Sequence, residues 1–130
     1  MNLILDSDHC IAILRKQLDV SAWVHPQVPL FVTALTVSEL TFGAHQSARV
    51  AHNLAQVDLL LAGMTILPFD EAAARRHGEL KNILRRTGTP LADLDLQIAS
   101  IALSRGLLLV THNTGHFARI PGLVLADWLA

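Results

Sequence analysis

Residues 2–8 read NLILDSD: an apolar run, Leu3-Ile4-Leu5, that breaks off in two carboxylates around a serine. NLIL has the unbroken apolar character of a strand buried on both faces. The continuation, DSDHCIAILRKQL, has helical spacing at Ile11, Leu14 and Leu18, with Asp6 to Asp8 as N-cap candidates. One acid at that junction needs no role beyond a cap. Two prompt a search for further acids that the fold brings to the same place.

The same strand-to-helix alternation continues along the chain. LFVTA (30–34) reads as a strand, and TVSELTFGAHQSA (36–48) as a helix that Thr36 or Ser38 can cap and that carries Glu39. RVAHNLAQVDLLLAG (49–63) is helical, with Val50, Leu54, Val57 and Leu61 on one side and Gly63 placed to end it. MTILPF (64–69) is a short strand. Asp70 then caps EAAARRHGELKNILRR, which TGTP terminates. ADLDLQIASIALSR stops at Gly106, with Asp93 suited to its N-cap. LLLVT (107–111) is a strand, HNTGHFARIPG (112–122) a loop, and LVLAD (123–127) a final strand. This order predicts a single α/β domain spanning residues 1–130, with a mainly parallel sheet of about five strands and helices on both faces.

Composition narrows the class. The chain has 130 residues, 52% hydrophobic and 16% charged, enough for one packed core and too apolar for disorder. No apolar run reaches the length of a membrane span, and no basic region followed by an apolar signal core opens the chain. The single cysteine, Cys10, leaves no internal disulfide, so a cytoplasmic protein with no membrane partner is expected. A formal net charge of −1 does not point to a globally basic nucleic-acid binder. Basic residues do cluster, at Arg15–Lys16, Arg75–Arg76 and Lys81 with Arg85–Arg86. Charge alone does not separate a phosphate-binding rim from a solvated helix face.

In a parallel sheet, functional groups collect at the carboxyl ends of the strands, near the point where strand order reverses. Asp6 ends the first strand. Glu39 follows the second within a turn or two, and Asp95 lies in the first turn of the helix feeding LLLVT. Thr111 and Asn113 come directly after that strand. Carboxylates sharing one site raise each other's pKa, a conflict that a hard divalent cation relieves: Mg²⁺, or Mn²⁺. The seven histidines do not form a zinc pattern; His112 and His116 lack a companion acid or cysteine. Each acid also has a plainer explanation. Asp8 is assigned as a helix cap, Glu39 alone could be a surface residue, and Asp93 competes with Asp95.

Four blocks in this order, LILDSD, TVSELTFGA, GTPLADLDLQIASIAL and LVTHNTGHFARIPGLVLADW, resemble PIN-domain ribonucleases, and among them the VapC toxins of bacterial toxin–antitoxin pairs. The resemblance covers essentially the whole chain. It implies a PIN-like fold and a Mg²⁺-dependent endoribonuclease acting on structured RNA such as tRNA, with Asp6, Glu39 and Asp95 as catalytic metal ligands. Ser7, Asp8 and Thr111 would support them, and Arg15, Arg85 and Arg86 would contact the RNA backbone. The resemblance also implies a homodimer paired with a VapB-like antitoxin. The fourth block departs from the family pattern: Asn113 stands where many members carry an acid, and His116 where others do. Asn113 can still offer an amide oxygen to a metal or its water, and His116 a contact to phosphate. The partner segment would use the helix from Val50 to Leu61 with the first helix, although those positions read equally as core. Two other readings compete. A degenerate PIN domain would bind RNA or a partner without cutting it. A phosphoacceptor receiver module could use Asp70, but has no lysine after a late strand.

Overall fold

The computed structural model describes residues 2–130. Among them are five strands: β1 (Leu3–Leu5), β2 (Leu30–Thr33), β3 (Thr65–Leu67), β4 (Leu108–Val110) and β5 (Leu125–Ala126). Six α-helices accompany them: α1 (Ser7–Leu14), α2 (Ala34–His45), α3 (Val50–Ala62), α4 (Glu71–Arg86), α5 (Asp93–Arg105) and α6 (Thr114–Phe117), with a 3₁₀ turn at Val20–Ala22. The sheet is wholly parallel in the order β3-β2-β1-β4-β5. A receiver module would have the order 2-1-3-4-5, so that alternative is excluded.

Alternation along each strand sends side chains to two separate cores. Leu5, Val32 and Val110 pack with Cys10, Leu40, Ala44 and Val57 from α1–α3. Ile4 and Leu109 pack with Leu80 and Leu84 of α4, Ile98 and Ile101 of α5, and Phe117 of α6. With both faces covered, the inner strands β1, β2 and β4 carry no polar alternation, whereas the edge strand β3 leaves Thr65 and Ile66 exposed.

Several elements differ from the sequence reading: α1 already ends at Leu14, short of Leu18, and two helix starts lack the cap expected of them. Thr33, rather than Thr36 or Ser38, caps α2 by accepting the Thr36 amide at 3.1 Å. Asp93 does not cap α5, whose N-cap is Ala92; its carboxylate turns outward to Lys81 Nζ at 2.9 Å and His77 Nε2 at 3.3 Å. The stretch 112–122 is not all loop, because Phe117 is fully buried and winds residues 114–117 into α6. Gly106 ends α5 as expected, in the left-handed region at φ +65° that its missing Cβ permits.

Candidate active site at the carboxyl edge of the sheet

Strand order reverses around β1: the chain moves outward through β2 and β3, then returns to lay β4 on the other side of β1. The ends of β1 and β4 therefore flank the crevice where parallel α/β sheets place their sites. Asp6 directly follows β1 and Thr111 directly follows β4, and the two meet: the Thr111 hydroxyl donates to Asp6 Oδ2 at 2.8 Å. The other Asp6 oxygen accepts the Ser7 amide at 2.8 Å, so Asp6 itself is the N-cap of α1. Glu39 enters from the second turn of α2, with Ser7 Oγ 3.5 Å from its Oε2. Asp95 enters from the first turn of α5.

The electrostatics tie the three acids together. Burial pushes the Asp6 carboxyl above its ordinary range, and the charges of Asp8 and Asp95 push the same way against the Thr111 hydrogen bond. Burial also raises Glu39, helped by Asp6 and Asp95. Asp95 is raised by burial too, against an opposing effect from His116. Glu39 Oε1 is buried and has no hydrogen-bond partner among the described residues. A buried acceptor without a donor is unfavourable by about 1–3 kcal/mol, so this oxygen is short of a donor or a cation.

Among the described residues, no three His, Cys, Asp or Glu side chains stand close enough to enclose a metal ion unaided. The donor set is nonetheless all oxygen and comes from the ends of three separate elements. That suits a small hard cation that keeps much of its water shell, and not zinc.

Asp8 has a different position from the cap assigned to it. Its Oδ1 accepts the His9 amide and meets His9 Nδ1, both at 2.7 Å, while its Oδ2 accepts the His112 amide at 2.9 Å and lies 3.3 Å from Thr111 Oγ1. Burial would raise Asp8, but these hydrogen bonds outweigh it and hold the carboxyl below its ordinary range. Asp8 thus fastens the end of β1 to the end of β4. Asn113 turns its side-chain amide to His116 Nδ1 at 2.8 Å, and its backbone N–H donates to Thr111 Oγ1 at 3.1 Å. His116 is exposed on α6 but near enough to Asp95 to bias its ionisation.

The basic candidates lie outside the crevice. In the α4–α5 hairpin, Asp70 faces Arg105 at one end and Lys81 faces Asp93 further along. The exposed Arg85 and Arg86 therefore sit at the hairpin's turn, where α4 ends and before α5 begins. Arg15 is exposed at the end of α1 and lines a groove of about 440 Å³ between α1, α2 and α3. Ile11, Leu14, Leu40 and Val57 give that groove an apolar wall, and Glu39 is among its polar lining residues. The first and third helices are therefore not wholly core, since between them they leave an open face.

Sequence reasoning missed the second layer of the site. His9 is fully buried between Asp8 and the backbone N–H of Trp128, and His112 Nδ1 meets Asp127 Oδ2 at 2.9 Å. Asp127 directly follows β5. The carboxyl-end rule applied to β1 and β4 would have flagged it, had it also been applied to the last strand.

Comparison with known proteins agrees with this architecture. The family model described as the PIN domain matches residues 3–123. The tRNA(fMet)-specific endonuclease VapC of Shigella flexneri is 33% identical over 98% of each chain. Its Salmonella typhimurium counterpart is 39% identical, covering 75% of this chain and 74% of the relative. Among solved structures, DNA-bound VapBC from Salmonella typhimurium superposes with a TM-score of 0.91 at 32% identity, covering 98% of both chains.

Proposed function

This chain belongs to the PIN-domain family as a VapC-type ribonuclease of the toxin–antitoxin kind, and from that premise we propose that it is a Mg²⁺-dependent endoribonuclease that cleaves structured RNA, a tRNA in particular. The observation that carries the metal reading is the buried, unpartnered Glu39 Oε1 beside two further acids whose ionisation is disfavoured. Asp6, Glu39 and Asp95 would hold Mg²⁺, with Mn²⁺ as a substitute, directly or through water. A cation bound there supplies two things: acidification of a water at neutral pH and neutralisation of charge on the scissile phosphate.

The chain's own residues do the rest. Thr111 and the Ser7 amide fix both Asp6 oxygens, so that carboxylate presents one orientation. Ser7 Oγ steadies Glu39 in the same way. His116 replaces a fourth acid with a donor that can contact a phosphate oxygen, and Asn113 orients its ring. Arg85 and Arg86 meet the RNA backbone, contacts that set register without reading sequence. The tRNA specificity follows the names of the relatives.

The groove between α1 and α3 receives an amphipathic segment of a VapB-like antitoxin, whose occupancy beside Glu39 would block the site. The active unit is a homodimer, as the resemblance implies. The test is cleavage of a total tRNA pool by wild type and Asp6→Asn, each with Mg²⁺ and with EDTA. Metal-dependent cutting absent from Asp6→Asn is expected. Cutting that survives both EDTA and the mutation would overturn the metal mechanism. A wild type that takes up no Mg²⁺ and cuts nothing would leave the RNA-binding, non-cutting alternative.

A further inference from the structure

His9 occupies a place in the fold that its surroundings define closely. The ring is fully buried on α1, with Nε2 3.0 Å from the backbone nitrogen of Trp128 and Nδ1 2.7 Å from Asp8 Oδ1. An amide N–H can only donate, so Nε2 is an acceptor and the ring proton lies on Nδ1, donating to Asp8. Asp127 Oδ1 is 3.6 Å from Nε2, but it accepts the Leu129 amide at 2.8 Å instead. The Trp128 ring meets the His9 ring edge to face, and Trp23 stacks on Trp128 with centroids 5.9 Å apart. The C-terminal segment therefore closes over His9 from the side opposite Asp8.

What this does for the site follows from the single proton on Thr111 Oγ1. Two carboxylates compete for it: Asp6 Oδ2 at 2.8 Å and Asp8 Oδ2 at 3.3 Å. With Asp8 Oδ1 held by His9, and Oδ2 already supplied by the His112 amide, Asp8 stays back and the proton goes to Asp6. We propose that His9 is a positioning residue for the nuclease site: held in one tautomer by the Trp128 backbone N–H, it retains Asp8 so that Thr111 serves Asp6. This rests on the ribonuclease reading of Asp6.

Two amide replacements separate the two halves of the ring. His9→Asn keeps a donor near the Nδ1 position for Asp8 and loses the acceptor for Trp128. His9→Gln keeps an acceptor near the Nε2 position for Trp128 and loses the donor to Asp8. The experiment measures kcat and KM for tRNA cleavage in Mg²⁺, thermal melts, and near-UV circular dichroism. Both tryptophans of the chain lie in the one stacked pair, so the near-UV signal reports the C-terminal closure directly.

His9→Gln is expected to keep the tryptophan signal and lose roughly 10- to 100-fold in kcat, the range found when supporting partners of metal sites are removed, with KM within about twofold. His9→Asn is expected to lose much of the tryptophan signal, with a fall in kcat several-fold smaller than that of His9→Gln. Losses of kcat that simply follow the fall in melting temperature in both variants would overturn the proposal, because a purely structural histidine gives that result. Should neither variant fold, ¹⁵N shifts of the wild-type imidazoles decide: a proton on Nε2 of His9 refutes it, and a proton on Nδ1 supports it. A wild type that cuts no RNA would sink the ribonuclease reading instead, and the tautomer measurement would then still judge the hydrogen-bond chain.

Discussion

Replacing Thr111 by valine keeps the shape of the side chain and removes only the hydroxyl. Thr111 is fully buried. Its hydroxyl donates to Asp6 Oδ2 at 2.8 Å and accepts the Asn113 amide at 3.1 Å. A hydrogen bond to a charged group contributes about 1.5–3 kcal/mol net, and leaving the Asn113 amide unpaired costs about 1 kcal/mol. The methyl that replaces the hydroxyl returns up to about 0.8 kcal/mol, so the net loss is near 2 kcal/mol. For a domain of this size that is a fall in Tm of roughly 6–10 °C, at about 3–5 °C per kcal/mol. Thr111 also lowers the Asp6 pKa against burial. Without it Asp6 holds its proton to higher pH, and the acid limb of the rate profile moves upward. Thermal melts in EDTA and a pH series of tRNA cleavage measure the two effects, with Thr111→Ser as the variant that restores both. A Tm within 2 °C of wild type with an unmoved acid limb would refute the argument that this hydroxyl holds Asp6.

Three further outcomes are expected. Asp6, Glu39 and Asp95 have folded-state pKa values raised above their ordinary 3.8 (Asp) and 4.5 (Glu), chiefly by burial, so the folded state binds the extra protons. Their contribution to stability is full below those ordinary values and is lost as pH rises through the raised ones. The metal-free protein should therefore lose Tm across that window through these groups. Glu39→Gln should reduce the loss, raise Tm in EDTA at neutral pH and weaken the stabilisation that Mg²⁺ gives; melts with and without Mg²⁺ check this. Gly43→Leu should fill the groove, since a Cβ there meets nothing within 4 Å. Antitoxin affinity by titration calorimetry should fall at least tenfold while Tm holds or rises, leucine being the better helix former. Gly106→Ala should cost about 1–2 kcal/mol by denaturant titration, because the strain comes from the left-handed backbone and not from a clash.

The chain order of β1 to β5 and the burial of β1, β2 and β4 were legible in the sequence because parallel strands covered by helices are unbroken apolar runs, and Gly106 and the Asp70 cap punctuate them; the edge strand β3 instead leaves Thr65 and Ile66 exposed. The three acids were legible for a related reason. A residue at the end of a strand has its place set by the strand, so Asp6 needed only β1, and Asp95 only the start of α5. The misassigned caps mark where this stops. Asp8 and Asp93 each stand beside a helix start, and local sequence does not show that Lys81 and His77 draw Asp93 outward or that His9 and His112 draw Asp8 inward.

The sequence by itself determined the layered α/β class, the order of the strands along the chain and which acids stand next to them, because these depend on hydrophobic period and chain order. Tertiary structure alone decided the sheet order that places β4 beside β1, and with it the Thr111–Asp6 bond across 105 residues. It also decided that a lone histidine on α1 faces the backbone of Trp128, 119 residues later. The physical reason is the same in both cases. Hydrophobic patterning fixes which face of an element is buried, whereas a hydrogen bond between distant segments requires the register of both, and that exists only after the chain has packed.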